Sequence, residues 1–129
     1  MRLLLDTHAF LGFVTNDKRR SGSVHVLLED ADSVLFVSIA TIWEMAIKNG
    51  LGKLPLAEPI ETFVPTQLRT NRMDILPVTQ EHAFRAGRLP LHHRDPFDRM
   101  MIAQSLLEDI ALVSADAAFD AYDGLNQLW

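Results

Sequence analysis

Short apolar runs alternate with helix-compatible segments along this chain, and that alternation confines it to a three-layer α/β/α fold with a mostly parallel central sheet. Residues 1–6 read as a buried strand, and Val34 to Val37, rich in β-branched residues, as a second. Asp74 to Val78 is a short third, where Pro77 marks a sheet edge or a strand end. Ala111 to Val113 is a fourth, and Leu125 to Trp129 a candidate edge strand.

Helices fill the intervals. His8 to Val14 is one, ended by Asn16-Asp17, and a second runs from an N-cap at Ser21 or Ser23 to about Glu29. Ser38 caps a third, whose apolar positions Ile39, Ile42, Trp43, Ala46 and Ile47 follow helical spacing up to the stop at Asn49-Gly50. Ile60 to Arg72 is amphipathic, with Pro65 expected to end or kink it. Glu81 to Arg88, Pro96 to Glu108 and Ala117 to Tyr122 complete the set. Residues 1–129 carry no repeat or linker and read as one domain.

Composition narrows the classes. No apolar stretch approaches the ~20 residues a membrane span needs, and Met1 to Leu5 meets Asp6 at once, so it reads as a strand and not a signal peptide. The chain has no cysteine, which removes disulfides, thiolate metal sites and a Cys nucleophile, and makes a cytoplasmic location the simplest expectation. A net charge of −5 opposes a wholesale electrostatic grip on nucleic acid. The basic residues are nevertheless clustered: Lys18-Arg19-Arg20, Arg69 with Arg72, Arg85 with Arg88, and Arg94 with Arg99.

The acids carry the chemistry. Asp6 ends Leu3-Leu4-Leu5, Glu44 lies a turn into the helix after Val34–Ser38, Asp98 follows His92–Phe97, and Asp116 closes Leu112–Ala115. Ligands of open parallel sheets bind at the carboxyl ends of the strands, and carboxylates gathered there suit hard cations such as Mg²⁺ or Mn²⁺. Singly, each acid has a plainer use. Asp6 and Asp116 can cap the helices that follow them, and Glu44 can pair with Lys48 at i+4. Asp95 before Pro96 is a standard helix start. Asp98, at i+3 from Asp95, is harder to explain that way, because two carboxylates on one helical face repel unless a cation joins them. His8 is better read as a helix-starting or packing residue than as a ligand, and His92-His93 as ordering the loop or contacting RNA. His25 and His82 have no chemical context. Met100-Met101-Ile102 reads as core.

At this point the motifs resemble those of PIN-domain ribonucleases, and among them the VapC-like toxins of bacterial type II toxin–antitoxin systems. Leu4-Leu5-Asp6-Thr7-His8 is similar to their opening motif, Val37 to Lys48 to the second, His92 to Gln104 to the third, and Leu112 to Phe119 to the fourth. Ser114 stands where a Thr is commoner, which keeps the hydroxyl, and Gly12-Phe13 replaces a frequent Trp, which touches packing. The resemblance implies Asp6, Glu44, Asp98 and Asp116 as an acidic quartet around Mg²⁺ or Mn²⁺, with Asp95 an additional acid and Thr7 and Ser114 as hydroxyl contacts.

The resulting expectation is a metal-dependent endoribonuclease, a toxin held inactive by a VapB-like antitoxin. Glu44 or Asp116 would orient or deprotonate the attacking water. Apolar residues Phe10, Leu11, Phe13, Val14, Trp43, Ile47 and Leu51 exceed what one small sheet face requires, which with the resemblance implies a homodimer or higher oligomer with antitoxin. The rival is a Mg²⁺-binding phosphoacceptor module of the receiver type. It needs an acid pair after the first strand, and here Asp6 is followed by Thr7-His8. A haloacid-dehalogenase-like phosphatase fails at His8 for the same reason, and a non-catalytic RNA-binding module is disfavoured by net acidity.

Overall fold

The strand patterns of the sequence form a sheet whose two faces are sealed separately. In the computed structural model, which describes residues 1–15 and 22–129, β1 is Arg2–Leu5, β2 Val34–Ser38, β3 Met73–Leu76, β4 Ala111–Val113 and β5 Gln127–Leu128. The order is β3-β2-β1-β4-β5, and every pairing is parallel, so the mostly parallel sheet expected is wholly parallel among the described residues. Pro77 follows β3 directly, and β3 is an edge strand, so the missing N–H of proline costs no ladder bond.

The helices are α1 Thr7–Val14, α2 Gly22–Glu29, α3 Ile39–Gly50, α4 Ile60–Thr70, α5 Gln80–Arg88 and α6 Pro96–Glu108. A 3-10 turn spans Ala117–Ala121. Side chains alternate across a strand, and the core divides accordingly. Leu3 and Leu5 join Leu35, Val37, Ala111 and Val113 beneath residues of α1 to α4, among them Phe10, Val24, Met45, Val64 and Leu68. Leu4 points the other way, with Leu112, into a cluster closed by Ala86 of α5 and Met101, Ile102 and Ala103 of α6. Leu3, Leu4 and Leu5 are fully buried, each contributing roughly 1.5–3 kcal/mol of transfer free energy.

Three local expectations change. Pro65 does not end α4, which continues to Thr70. Burial of Val64 and Leu68 on one face of the helix offsets the backbone bond that proline lacks. Ser23 lies within α2 and is not its cap, while Ser21, like Asn16-Asp17 and Lys18-Arg19-Arg20, lies outside the described residues. Phe10 is not surplus apolar surface but core, and Leu11, Phe13 and Val14 are half-buried against it. Trp43 and Leu51 are exposed, at 63% and 65%, and Ile47 at 39%.

Connections from β1 lead to β2 and β3 on one side, and the chain then crosses to β4 and β5 on the other. The order therefore reverses between β1 and β4, and the crevice at their carboxyl ends is where such sheets bind ligands. Asp6 and Asp116 leave the sheet at that point.

Candidate active site at the carboxyl end of the sheet

Asp6, Glu44 and Asp116 are anchored by the local structure that follows a strand, and Asp95 and Asp98 by the start of α6 after the α5–α6 loop. The Asp6 N–H still donates to the Val113 carbonyl at 3.1 Å, continuing the β1–β4 ladder. Its side chain then caps α1, with Oδ1 accepting from the Ala9 N–H at 2.8 Å. Burial pushes its pKa up, and hydrogen bonds from the Ser114 hydroxyl and the Ala9 N–H partly oppose that.

Glu44 is carried by α3 and buried. The Thr7 hydroxyl donates to its Oε1 at 2.6 Å, and the Lys48 ammonium to its Oε2 at 2.6 Å. The i+4 ion pair expected from the sequence is thus present, and the charged hydrogen bond to Glu44 raises the Lys48 pKa, with Asp95 and Asp98 adding to the effect. Because Thr7 leads α1 and Thr41 of α3 lies 3.2 Å from its hydroxyl, this small network joins the two helices beside the cleft.

Asp95 is the N-cap of α6, and its Oδ1 accepts from the N–H groups of both Phe97 and Asp98, at 2.9 and 3.1 Å. Proline at the first helical position needs no partner, so the start of α6 is fully capped. Asp98 follows in the first turn. Its pKa is pushed up from 3.8 to about 7, chiefly by burial, then by the Asp95 charge, with His93 opposing and Asp6 and Glu44 adding to the rise. A carboxyl raised this far by burial and by surrounding acids is a candidate for a functional site.

Asp116 begins the 3-10 turn. Its Oδ1 accepts from the Ala118 N–H at 2.9 Å, while Oδ2 lies 3.0 Å from His93 Nε2. Burial pulls its pKa upward, but the Ala118 and His93 bonds outweigh that and leave it below the ordinary value. Gln127 ties the edge strand back to this turn by donating to the Ser114 and Asp116 carbonyls at 3.0 and 2.8 Å.

The structure therefore brings Asp98 and Asp116 to one point and sets Asp6, Glu44 and Asp95 around it as charges felt by Asp98. Among the described residues, one group of His and acidic ligand atoms lies mutually within 4.8 Å: His93, Asp98 and Asp116. His93 is the residue that sequence reasoning undervalued. Its neighbour His92 packs edge-on against Tyr122, with ring centroids 5.1 Å apart, and does not join the acids. The signal available was only that a His lay two residues before an N-cap Asp. His8 is exposed. His82 is buried, with Nδ1 accepting from the Thr79 N–H and Nε2 2.8 Å from Glu108, so it fastens α5 to α6.

Beside the acids, Trp43 and Phe97 meet edge to face at 5.2 Å and line an apolar hollow of about 210 Å³ with Ile39, Val78, Pro96 and Met100.

The comparisons agree with this architecture. Ribonuclease VapC16 of Mycobacterium tuberculosis is 37% identical over 62 residues, which cover 48% of this chain and 43% of that protein. The chain thus matches less than half the length of that relative. The VapBC2 complex from Rickettsia felis, solved on a DNA fragment from its promoter, contains a chain that superposes with a TM-score of 0.73 at 16% identity, covering 98% of this chain and 97% of that one. DNA-bound VapBC from Salmonella typhimurium gives a TM-score of 0.69, also at 16% identity, over 98% and 96% of the two chains. At such identities these two show the fold. Residues 3–125 match the PIN domain as a family, and with the acids of all four motifs gathered at the carboxyl end of a parallel sheet, the chain belongs to the PIN-domain family.

Proposed function

We propose that this protein is a VapC-like toxin: a Mg²⁺- or Mn²⁺-dependent endoribonuclease, held inactive by a small antitoxin. The observation that carries the reading is the convergence of Asp98 and Asp116, whose carboxylate oxygens lie within 4.8 Å of one another, and burial with the surrounding acids pushes the Asp98 pKa up to about 7. Lys48 and His93 touch the cluster, and each is already engaged with a carboxylate. The donor set is rich in carboxylate oxygen, which fits a hard divalent ion. Asp6, Asp98 and Asp116 would hold it, with Glu44 and Asp95 close by. When bound, such an ion neutralises charge on a scissile phosphate and brings the pKa of water toward neutrality.

The chain's own residues then have distinct tasks. Asp6 and Asp116 are each locked by one oxygen to a backbone N–H, and the carboxylate lone pairs not taken by Ser114 and His93 face the cleft. Glu44, held by Thr7 and Lys48, is placed to orient the attacking water or take its proton. In-line attack leaves a 5′-phosphate and a 3′-hydroxyl. Asp6 is followed by Thr7-His8 where a receiver needs a second acid, and the Thr7 hydroxyl serves Glu44, so the receiver-type rival gains nothing.

The exposed Trp43, Ile47 and Leu51 form the surface on which a partner copy or an antitoxin segment would sit. The VapBC complexes among the structural neighbours support a partner of this kind. An Arg or Lys from it could pair with the carboxylates in place of the metal.

The test is cleavage of structured RNA by the purified protein. Activity should appear with Mg²⁺ or Mn²⁺, vanish with chelator, and be absent in Asp6→Asn and Asp98→Asn. Cleavage that persists in chelator, or in both variants, refutes the reading.

A further inference from the structure

We propose that His93 is the positioning residue of this cleft: a hydrogen-bond donor locked in its Nε2–H tautomer that holds Asp116 beside Asp98 for a cation, and not itself a nitrogen ligand. The inference deepens the metal-site reading given above and rests on it for its consequence, but its tautomer assignment stands on this chain's geometry alone.

His93, Asp98 and Asp116 present atoms mutually within 4.8 Å, which at first sight makes the imidazole a third ligand. The other ring nitrogen argues against it. The Asp95 backbone N–H donates to His93 Nδ1 at 3.1 Å, so Nδ1 is an acceptor and bears no proton. In a neutral ring the proton must then sit on Nε2. Nε2 makes its hydrogen bond to Asp116 Oδ2 at 3.0 Å, and Asp98 Oδ2 lies alongside at 3.3 Å. Donor and acceptors match at both nitrogens, which is how a tautomer is assigned from its network. Coordination through Nε2 would need the proton moved to Nδ1, where it would oppose the Asp95 N–H.

The imidazole is also held as a built part of the site. Its ring packs against Phe119 at 5.4 Å, one residue from the Ala118 N–H that caps Asp116. Its carbonyl accepts from Arg99 at 3.2 Å. The same guanidinium donates to the carbonyls of Ala86, Leu89 and Pro90, so one side chain of α6 fastens the end of α5 and the loop that carries His93. Asp98 and Asp116 come from α6 and from the turn after β4, and as like charges they repel. The His93 N–H between them offsets that repulsion. A carboxylate oxygen has two lone pairs, so Asp116 Oδ2 can accept from His93 and still face a cation.

Nitrogen-15 spectra of the His93 imidazole, recorded without metal and through a Mg²⁺ titration, test the assignment. Nε2 should carry the proton throughout. Calorimetry of Mg²⁺ binding should then show roughly a 10- to 100-fold loss for His93→Phe, which keeps a ring without a donor, as for other residues that orient metal ligands. His93→Gln, which restores a donor near the Nε2 position, should recover most of the affinity. A proton on Nδ1 in the metal-free protein, or loss of the Nε2 proton as Mg²⁺ binds, overturns the proposal, as does a His93→Phe variant of unchanged affinity. If His93→Phe fails to fold, the wild-type spectra and the Gln variant still decide. A wild-type protein that binds neither Mg²⁺ nor Mn²⁺ refutes the metal-site reading instead, while its metal-free spectra continue to judge the tautomer.

Discussion

Replacing Asp98 by Asn removes a charge that burial and nearby acids disfavour, with a definite effect on stability. Asp98 titrates at about 7 in the folded protein against an ordinary 3.8. The native state therefore binds this proton more tightly than the unfolded chain does. The associated stability is fully present below pH about 4, declines as pH rises through the window between 3.8 and about 7, and is gone above it. At 1.36 kcal/mol per pH unit the ceiling is about 4 kcal/mol. The Asp98 side chain is 22% exposed and the cleft is open, so solvent screening reduces this to roughly 2–3 kcal/mol. Asn also gives up the favourable interaction of a carboxylate with the first turn of α6, worth about 0.3–1 kcal/mol, which is too small to reverse the sign. In chelator at pH 8, Asp98→Asn should thus be the more stable protein by about 1–2 kcal/mol, or roughly 3–10 °C in Tm for a domain of this size. Its stability should also lack most of the decline between pH 4 and 7. Saturating Mg²⁺ should reverse the ranking, since at a hundredfold excess over Kd it stabilises the wild type by about 2.7 kcal/mol and leaves the variant largely unaffected. Urea unfolding across pH 4 to 8, with chelator and with Mg²⁺, reads all of this. An Asn variant less stable than wild type in chelator at pH 8 would refute the claim that Asp98 is held by unneutralised acids.

Other outcomes follow from neighbouring contacts. Asp95→Ser should keep the α6 cap, and with it stability to within a few tenths of a kcal/mol, whereas Asp95→Ala should cost about 1 kcal/mol in chemical denaturation. Activity lost in Asp95→Ser despite a stable fold would show that this carboxylate serves the cation as well as the helix. Thr7→Val leaves Glu44 with Lys48 as its remaining partner, so RNA cleavage should fall while secondary structure by circular dichroism is retained. Leu4→Ala empties a fully buried position between β1 and α6 and should cost about 2–5 kcal/mol by the same unfolding measurements.

Much of this molecule was legible in the chain itself. The runs at Leu3–Leu5, Val34–Val37 and Ala111–Val113 are nearly continuous apolar segments, as strands buried on both faces must be. Alternation with helical segments gave the layered fold. Caps were readable because they depend on a few adjacent residues: Asp6, Ser38, Asp95 and Asp116 each accept from an N–H within three positions. That α4 does not end at Pro65 has the complementary reason. Its local penalty is visible in sequence, but the packing of Val64 and Leu68 that overrides it is not.

What the sequence determined by itself was the set of elements, their parallel arrangement, and which acids would stand at strand ends. Only the tertiary structure decided which of those acids meet. Asp98 and Asp116 are eighteen positions apart, and their approach depends on β4 lying beside β1 and on α6 crossing the opposite face of the sheet from α1. It also decided the place of His93, whose ring turns toward the acids because the Asp95 N–H, Phe119 and Arg99 hold it there. Capping and periodicity are short-range and can be read along the chain. The proton affinity of Asp98 arises from burial and from the charges of Asp95, His93, Asp6 and Glu44, and no local pattern encodes that sum.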